Sequence, residues 1–277
     1  MSNVASYSSI LFEVDDGVAT VTLDRPDVRN AFNGQMGTEL SDAYRRCDTD
    51  DDIRVVVVTG TPPAFCAGAD LTEGGDTFRS RDVEGFSAAA VELRAWDVRK
   101  LVIAAVNGHA LGVGFTLALQ CDIRFFASDA KYGVVQTRLG VMGDGYSHWT
   151  LPRIAGMSGA AEILLTGRTF DGHEALAFGV CSRTLPNEEV LPAALELARD
   201  VAVHAAPLSV AVSKQLLWES WDRSADQVEQ RETELHHYLM GRPDAREGVE
   251  SFLSRRPPRW QGSVADDLPD GASALER

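Results

Sequence analysis

Two short runs constrain the fold more than any other feature of the chain: "IRVVVVTG", positions 53–60, and "KLVIAAVNG", positions 100–108. Each holds an unbroken apolar stretch, rich in β-branched residues, and stops at a glycine. A strand with one wet face alternates apolar and polar side chains, so a strand apolar throughout must be covered on both faces. Neither run approaches the roughly 18 apolar residues of a bilayer-spanning helix, and no other run does. The pattern predicts central strands of a sheet with helices on both sides, an α/β arrangement. Ahead of them, "ILFEV" and "VATVTL" are joined by "DDG", a hairpin signal. "MGTELSDAYRRCD" then carries helical spacing, and "DIRFFAS" follows the second run.

From Trp149 onward the pattern turns helical. "TFDGHEALAFG" opens with a capping box, Asp171 to Glu174, and stops at Gly179. "NEEVLPAALELARDVAVHA", "PLSVAVSKQLLWESW" with Pro207 at its start, "SADQVEQRETELHHYLMG" and "PDAREGVESFLSRR" complete a helical C-terminal third. With 277 residues, 44% of them hydrophobic, the chain can build one large core with one appendage.

The formal charge of −15, from 26 Lys and Arg against 41 Asp and Glu, argues against a nucleic-acid binder. Any polyanionic ligand must be met by a few placed cations. The four cysteines, Cys47, Cys66, Cys121 and Cys181, are too far apart for a metal cluster and read as reduced thiols. "MSNVASYSS" has no basic start and no apolar core, so a cytoplasmic protein without a secretory signal is expected. His236 and His237 are adjacent and read as a solvated pair.

Two loops share a design. "VVVVTGTPPAFCAGADL" and "LVIAAVNGHALGVGFTLAL" each run from a buried strand through small residues toward a helix. Such turns let a ligand approach the main chain, and their N–H groups can bind partial negative charge. One loop alone is more often plain packing; two of matching character point to a pair of N–H donors converging on one oxygen. A dinucleotide fingerprint is the competing reading of Gly112-x-Gly114 with Asp129 downstream. Its third position is Leu117, too large for the close helix–strand contact required there. "GYSHW" lacks G-x-S-x-G, so Ser147 and His148 do not read as a hydrolase nucleophile and base.

Three segments in order, "AFCAGADL", "AAVNGHALGVG" leading to "CDIRFFASDAKYG", and "TFDGHEALAFGVCSRTLP", closely resemble the enoyl-CoA hydratase/isomerase (crotonase) superfamily. The resemblance runs from about Ile10 to Trp260. It implies a spiral of β-β-α repeats over 1–206 and a helical region over 207–260 that forms trimers or pairs of trimers. The end of the chain, 261–277, has little to bury and reads as a disordered tail. The implied ligand is an acyl-CoA thioester, with coenzyme A arriving as part of the substrate and no metal or redox cofactor. The oxyanion-hole donors implied are the N–H groups of Ala69 and Val113, the latter where the family usually has glycine. Ala67, Gly68, Asp70, Leu71 and Gly112 border the same two turns as substrate-binding positions. Arg29 matches a position that often supports the CoA phosphates. Arg255 in "FLSRRPPRW" is placed to reach CoA from the C-terminal region, within its own chain or across a subunit boundary, and Thr72 and Glu73 stand where many relatives carry a cation.

The family's hydratases use two glutamates, and their positions here hold Thr116 and Gln136. Neither exchanges protons near neutral pH. Hydration needs a base for water and an acid for carbon, so standard hydration is not expected. Asp144 lies between two glycines in "GVMGDG", eight residues after Gln136. Several double-bond-shifting members of the family, and one group that dehalogenates aromatic thioesters, place their working carboxylate there. Two readings stay open: Asp144 caps the helix that starts near Tyr146, or it is a partly buried acid whose raised pKa suits a proton shuttle. The activity implied is an enoyl-CoA double-bond isomerase. The alternatives are hydrolysis, carbon–carbon cleavage or ring opening on a CoA thioester, or acyl-CoA binding without turnover. His148 either lines the pocket or satisfies a backbone carbonyl, His109 reads as structural, and Cys66, with no paired base, reads as packing.

Overall fold

The computed structural model describes residues 7–79 and 87–269. Strands β1 (Ile10–Asp15) and β2 (Val18–Leu23) form the expected hairpin, with Ile10 opposite Leu23. Thereafter each turn of the chain lays down one long strand and one short one. These are β3 (Val55–Gly60) with β4 (Ala64–Cys66), β5 (Leu101–Val106) with β6 (His109–Leu111), and β7 (Ile123–Ala127) with β8 (Tyr132–Gly133). A last strand, β9 (Arg183–Leu185), closes the far edge. The long strands make a six-stranded sheet, β1-β2-β3-β5-β7-β9, parallel beyond the hairpin; the short ones stack in parallel as β4-β6-β8. This is the spiral of repeats that the resemblance implies.

Every residue of β3 is buried, and β5 is buried from Val102 onward. Fully burying four valines, Val55 to Val58, contributes on the order of 6–12 kcal/mol as an upper bound. That is comparable with the whole net stability of a domain, so β3 cannot sit at an edge. The small sheet shares this core through Phe65, Cys66, Ala110 and Tyr132.

Helix α1 (Gly34–Thr49) is capped by Asn33, whose side chain accepts from the Met36 N–H at 2.9 Å, and it packs on β1 and β2. Next come α2 (Val113–Leu119), α3 (Ser147–Ile154), α4 (Gly156–Thr166) and α5 (Gly172–Ala177), the last opened by the Asp171–Glu174 capping box. Helix α6 (Asn187–His204) lies across β3, β5 and β7. The helical third follows as α7 (Pro207–Glu219), α8 (Ala225–Met240) and α9 (Pro243–Ser254).

This third is tied to the core by buried Lys214, whose Nζ pairs with Asp122 at 2.8 Å and donates to the carbonyls of Ala95 and Lys100. Trp218 and Trp221 lie on the chain after Lys214, where α7 ends. They pack in their own chain with Trp149, at ring distances of 6.0 and 4.7 Å, and Trp218 also meets Trp96. The apolar surface left uncovered lies further on. In α9, Val249, Phe252 and Leu253 share one face, with Phe252 82% exposed.

The chain end departs from the expectation of a free tail. Ser263, Val264 and Ala265 donate to the Asp51 carboxylate, and Arg99 donates to the Val264 carbonyl at 3.0 Å. Val264 is buried. Composition shows only that this stretch has few apolar groups; it does not show that Asp51 and Arg99 supply partners for its main chain. Positions 270–277 lie outside the described residues.

Candidate active site

The two small-residue loops leave the same end of the small sheet. Cys66 pairs with Ala110 across β4 and β6. Ala69 and Val113 each come three residues after their strand partner, so the two turns run side by side. Phe32 bridges Ala69: its N–H donates to the Gly68 carbonyl at 2.7 Å, and its carbonyl accepts from the Asp70 N–H at 2.9 Å. In a parallel bridge this turns the Ala69 N–H to the opposite side. Val113 is the first residue of α2, where an N–H has no acceptor within the helix. The geometry presents two neighbouring main-chain donors without protein partners among the described residues, an arrangement suited to one oxygen carrying negative charge.

Asp144 completes the site. Its Oδ1 accepts from Gln136 Nε2 at 3.1 Å and from Thr116 Oγ1 at 3.3 Å; Oδ2 takes no side-chain donor among the described residues. The two positions that hold glutamates in the family's hydratases therefore both serve Asp144. The carboxylate does not cap α3, whose N-cap is Tyr146 in the left-handed conformation with no side-chain cap bond. Burial raises the Asp144 pKa above the ordinary 3.8, and the bonds from Gln136 and Thr116 oppose the rise without cancelling it.

The flanking glycines follow from close approach. A Cβ at position 143 would lie 2.6 Å from Ser147 Oγ and 2.9 Å from Val134 Cγ1. One at 145, where φ is +52°, would lie 2.4 Å from Thr116 Oγ1. Gly145 lets the Asp144 loop press onto α2, where Thr116 reaches the carboxylate, and Gly143 lets it close on Val134 and Ser147.

A second support was not legible in the sequence. The Gly145 N–H donates to the Ala88 carbonyl at 2.8 Å. The Tyr146 ring meets Trp96 at 5.1 Å, with the Arg94 guanidinium 5.5 Å from its centre. Residues 87–97 carry neither periodicity nor a motif, so no signal pointed to them. Beyond Tyr146, the rings of Trp96, Trp149 and Trp218 line a cleft of about 460 Å³.

The remaining candidates divide. The Ala67 N–H donates to the Arg29 carbonyl at 3.0 Å, so Arg29 pins the first turn through its main chain. Its exposed guanidinium has no ion-pair partner among the described residues. Arg29 and Lys131 both act on His109, whose pKa is held down by burial first and by these two cations next. Nδ1 of His109 accepts from the Lys131 N–H at 2.9 Å, a structural role as expected. Leu71 is exposed. Cys66 is fully buried, and burial pushes its thiol up to about 12, which fits packing.

Two expectations need correction. Asp70 offers no free carboxylate, because its Oδ2 pairs with Arg25 at 2.7 Å and its Oδ1 accepts from the Thr72 N–H. It braces the turn. His148 is exposed, with Nδ1 3.5 Å from Ser147 Oγ, and holds no carbonyl among the described residues; the first turn of α3 points Ser147 inward and His148 outward. Arg255 ends α9 in the left-handed conformation, and α9 packs on α8 within its own chain. Among the described residues no group of three or more His, Cys, Asp or Glu is placed to hold a metal ion.

Known proteins are similar to this chain in sequence and fold. The profile of the enoyl-CoA hydratase/isomerase family matches residues 13–263. An enoyl-CoA hydratase of Alternaria alternata is 36% identical, with 100% of this chain and 96% of that protein covered. A 1,2-epoxyphenylacetyl-CoA isomerase of Escherichia coli K12 is 33% identical over 91% of this chain and 98% of that one. The crystal structure of a probable enoyl-CoA hydratase/isomerase from Mycobacterium abscessus superposes with a TM-score of 0.89. It is 47% identical and covers 92% of this chain and 99% of its own. Spiral, paired donors and whole-length similarity agree: the chain belongs to the enoyl-CoA hydratase/isomerase family, within the crotonase superfamily.

Proposed function

We propose that the protein is an enoyl-CoA double-bond isomerase in which Asp144 carries the proton. The observation that carries this reading is the replacement of both hydratase acids by the donors Thr116 and Gln136, which converge on one carboxylate. Asp144 Oδ2 takes the α-proton of a β,γ-enoyl thioester. The C–H electrons move onto the thioester oxygen, which the Ala69 and Val113 N–H groups hold as an enolate. The same carboxyl then returns the proton at the γ-carbon, leaving an α,β double bond. Each oxyanion donor contributes about 3–4 kcal/mol to lowering the barrier, and the shuttle about a hundred- to ten-thousand-fold. No metal or redox group enters these steps. Ala67, Gly68, Leu71 and Gly112 border the thioester in this reading, and Arg29 meets the CoA phosphates.

Asp144→Asn tests it. Asparagine keeps the shape but accepts no proton at neutral pH, so turnover should fall by about a hundredfold or more while CoA-thioester binding stays near normal. A folded Asn variant with near-parent turnover on a panel of enoyl-CoA thioesters would end the shuttle reading.

Hydration is the second reading, favoured by the name of the Alternaria relative. Mass spectrometry separates the two, since isomerisation conserves the mass of the acyl-CoA and hydration adds one water. Four unpaired, buried thiols suit a reducing, cytoplasmic setting.

A further inference from the structure

We infer that Gln136 is a positioning residue of the proton shuttle: its amide, together with the Thr116 hydroxyl, holds Asp144 Oδ1 and so leaves Oδ2 as the one oxygen that exchanges a proton with substrate. The inference rests on the reading of Asp144 as the proton-carrying acid.

The orientation of the amide is the key observation. Gln136 is buried, and a Cβ at Gly112 would lie 3.3 Å from its Nε2 and 3.4 Å from its Oε1. The amide is thus clamped between the turn that bears the Val113 donor and the Asp144 loop. Nε2 donates to Oδ1, while Oε1 is buried with no partner among the described residues. An orphaned buried acceptor is costly, and amides generally turn to avoid one. A carboxylate has only acceptors to offer, so only the NH2 edge of Gln136 can face it. Asp144 therefore dictates the orientation at the expense of Oε1.

Thr116 adds a second donor to the same oxygen. Its one hydroxyl proton has two acceptors in reach, Oδ1 at 3.3 Å and the Val113 carbonyl at 3.1 Å. With Oδ1 held from two sides, the lone pairs facing the site belong to Oδ2. In the reaction the substrate C–H bond breaks as the Oδ2–H bond forms, and Oδ1 becomes the carbonyl oxygen, which still accepts both donors. The arrangement thus serves Asp144 before and after proton transfer.

Among the described residues the groups that face Asp144 are few, its own N–H included. Helix α2 supplies Thr116, the turn at 135–139 supplies Gln136, and the 87–90 strap meets the loop through the Ala88 carbonyl. Cys66 is the titratable neighbour among the described residues, and burial keeps its thiol neutral.

The test reads the carboxyl directly. Infrared difference titration follows the C=O stretch of protonated Asp144, assigned by its loss in Asp144→Asn. Gln136→Met keeps length and removes the donor, so the Asp144 midpoint should rise by on the order of one pH unit. Thr116→Val should act in the same direction, and the double variant should rise further. An unmoved midpoint in a folded Gln136→Met protein would reduce Gln136 to a packing residue and overturn the inference. Should that variant fail to fold, Gln136→Leu, which also removes the donor to Oδ1, is read in its place, and an unmoved midpoint there overturns the inference equally. The titration needs no turnover, so a protein without isomerase activity would sink the proposed function and still leave this result readable.

Discussion

Gly114 is where one methyl group would test the whole site. It stands in α2 directly after the Val113 donor, and a Cβ there would lie 2.4 Å from the Cys66 carbonyl oxygen, 2.6 Å from Cys66 Cβ and 2.8 Å from its Sγ. Real Cβ atoms essentially never approach closer than 3.0 Å, so in Gly114→Ala the first turn and α2 must part by roughly 0.6 Å. Overpacking of this kind costs about 1–3 kcal/mol. The upper end applies because the nearest atom is backbone and cannot rotate away. Replacing a helical glycine returns about 0.4–1 kcal/mol through the unfolded chain, leaving a net loss of about 2 kcal/mol. For a chain of this size that lowers Tm by about 4–8 °C. The same displacement separates the Ala69 and Val113 donors, and misplacement of about 1 Å can cost a hundredfold in rate. Turnover should therefore drop by about ten- to a hundredfold, with a smaller effect on KM. Gly34→Ala is the control: nothing lies within 4 Å of its Cβ at the first position of α1, so Tm should hold or rise. A Gly114→Ala protein that melts within about 2 °C of the parent and turns over normally would refute the reasoning, because it would show that the two loops are not in register as described.

Two further outcomes can be checked. Glu39 is buried and accepts from the Ser8 and Ser9 N–H groups, the Ser8 hydroxyl and Gln35, all within 2.9 Å. Burial alone would raise its pKa, but these donors outweigh burial and hold it below the usual 4.5. A depressed carboxylate stabilises the fold above its unfolded pKa and loses that contribution as pH falls through the folded one. Melting curves of Glu39→Gln should thus lie below the parent near pH 7 and converge with it well below about pH 4.5; a gap constant with pH would count against this account. For assembly, the uncovered Val249–Phe252–Leu253 face of α9 supports the proposal that copies associate into trimers or pairs of trimers. Sedimentation at micromolar concentration should show no monomer boundary, and a clean monomer would refute it.

What could be read from the chain alone was whatever depends on local spacing or on short motifs. The unbroken valines of 55–58 demand cover on both faces, the "DDG" turn demands a hairpin, and the Asp171–Glu174 box demands a helix start. Each is a statement about neighbours along the chain, and each is met. The motif resemblance likewise placed Ala69, Val113, Thr116, Gln136 and Asp144 among the positions that matter. Their relation required the tertiary structure. Strands of two or three residues, such as β4, β6 and β8, have too little periodicity to announce themselves and exist only because neighbouring repeats pair with them. Their pairing sets Ala69 beside Val113, residues 44 positions apart. Thr116 and Gln136 read in isolation as the loss of two acids, and only packing reveals them as donors to a third. Asp70 and the stretch 263–265 went the other way, because their partners Arg25 and Asp51 lie far off in sequence. A side chain's type is local information. Which group it faces is decided by burial and hydrogen-bond completion across the whole fold, and those are settled only when distant segments meet.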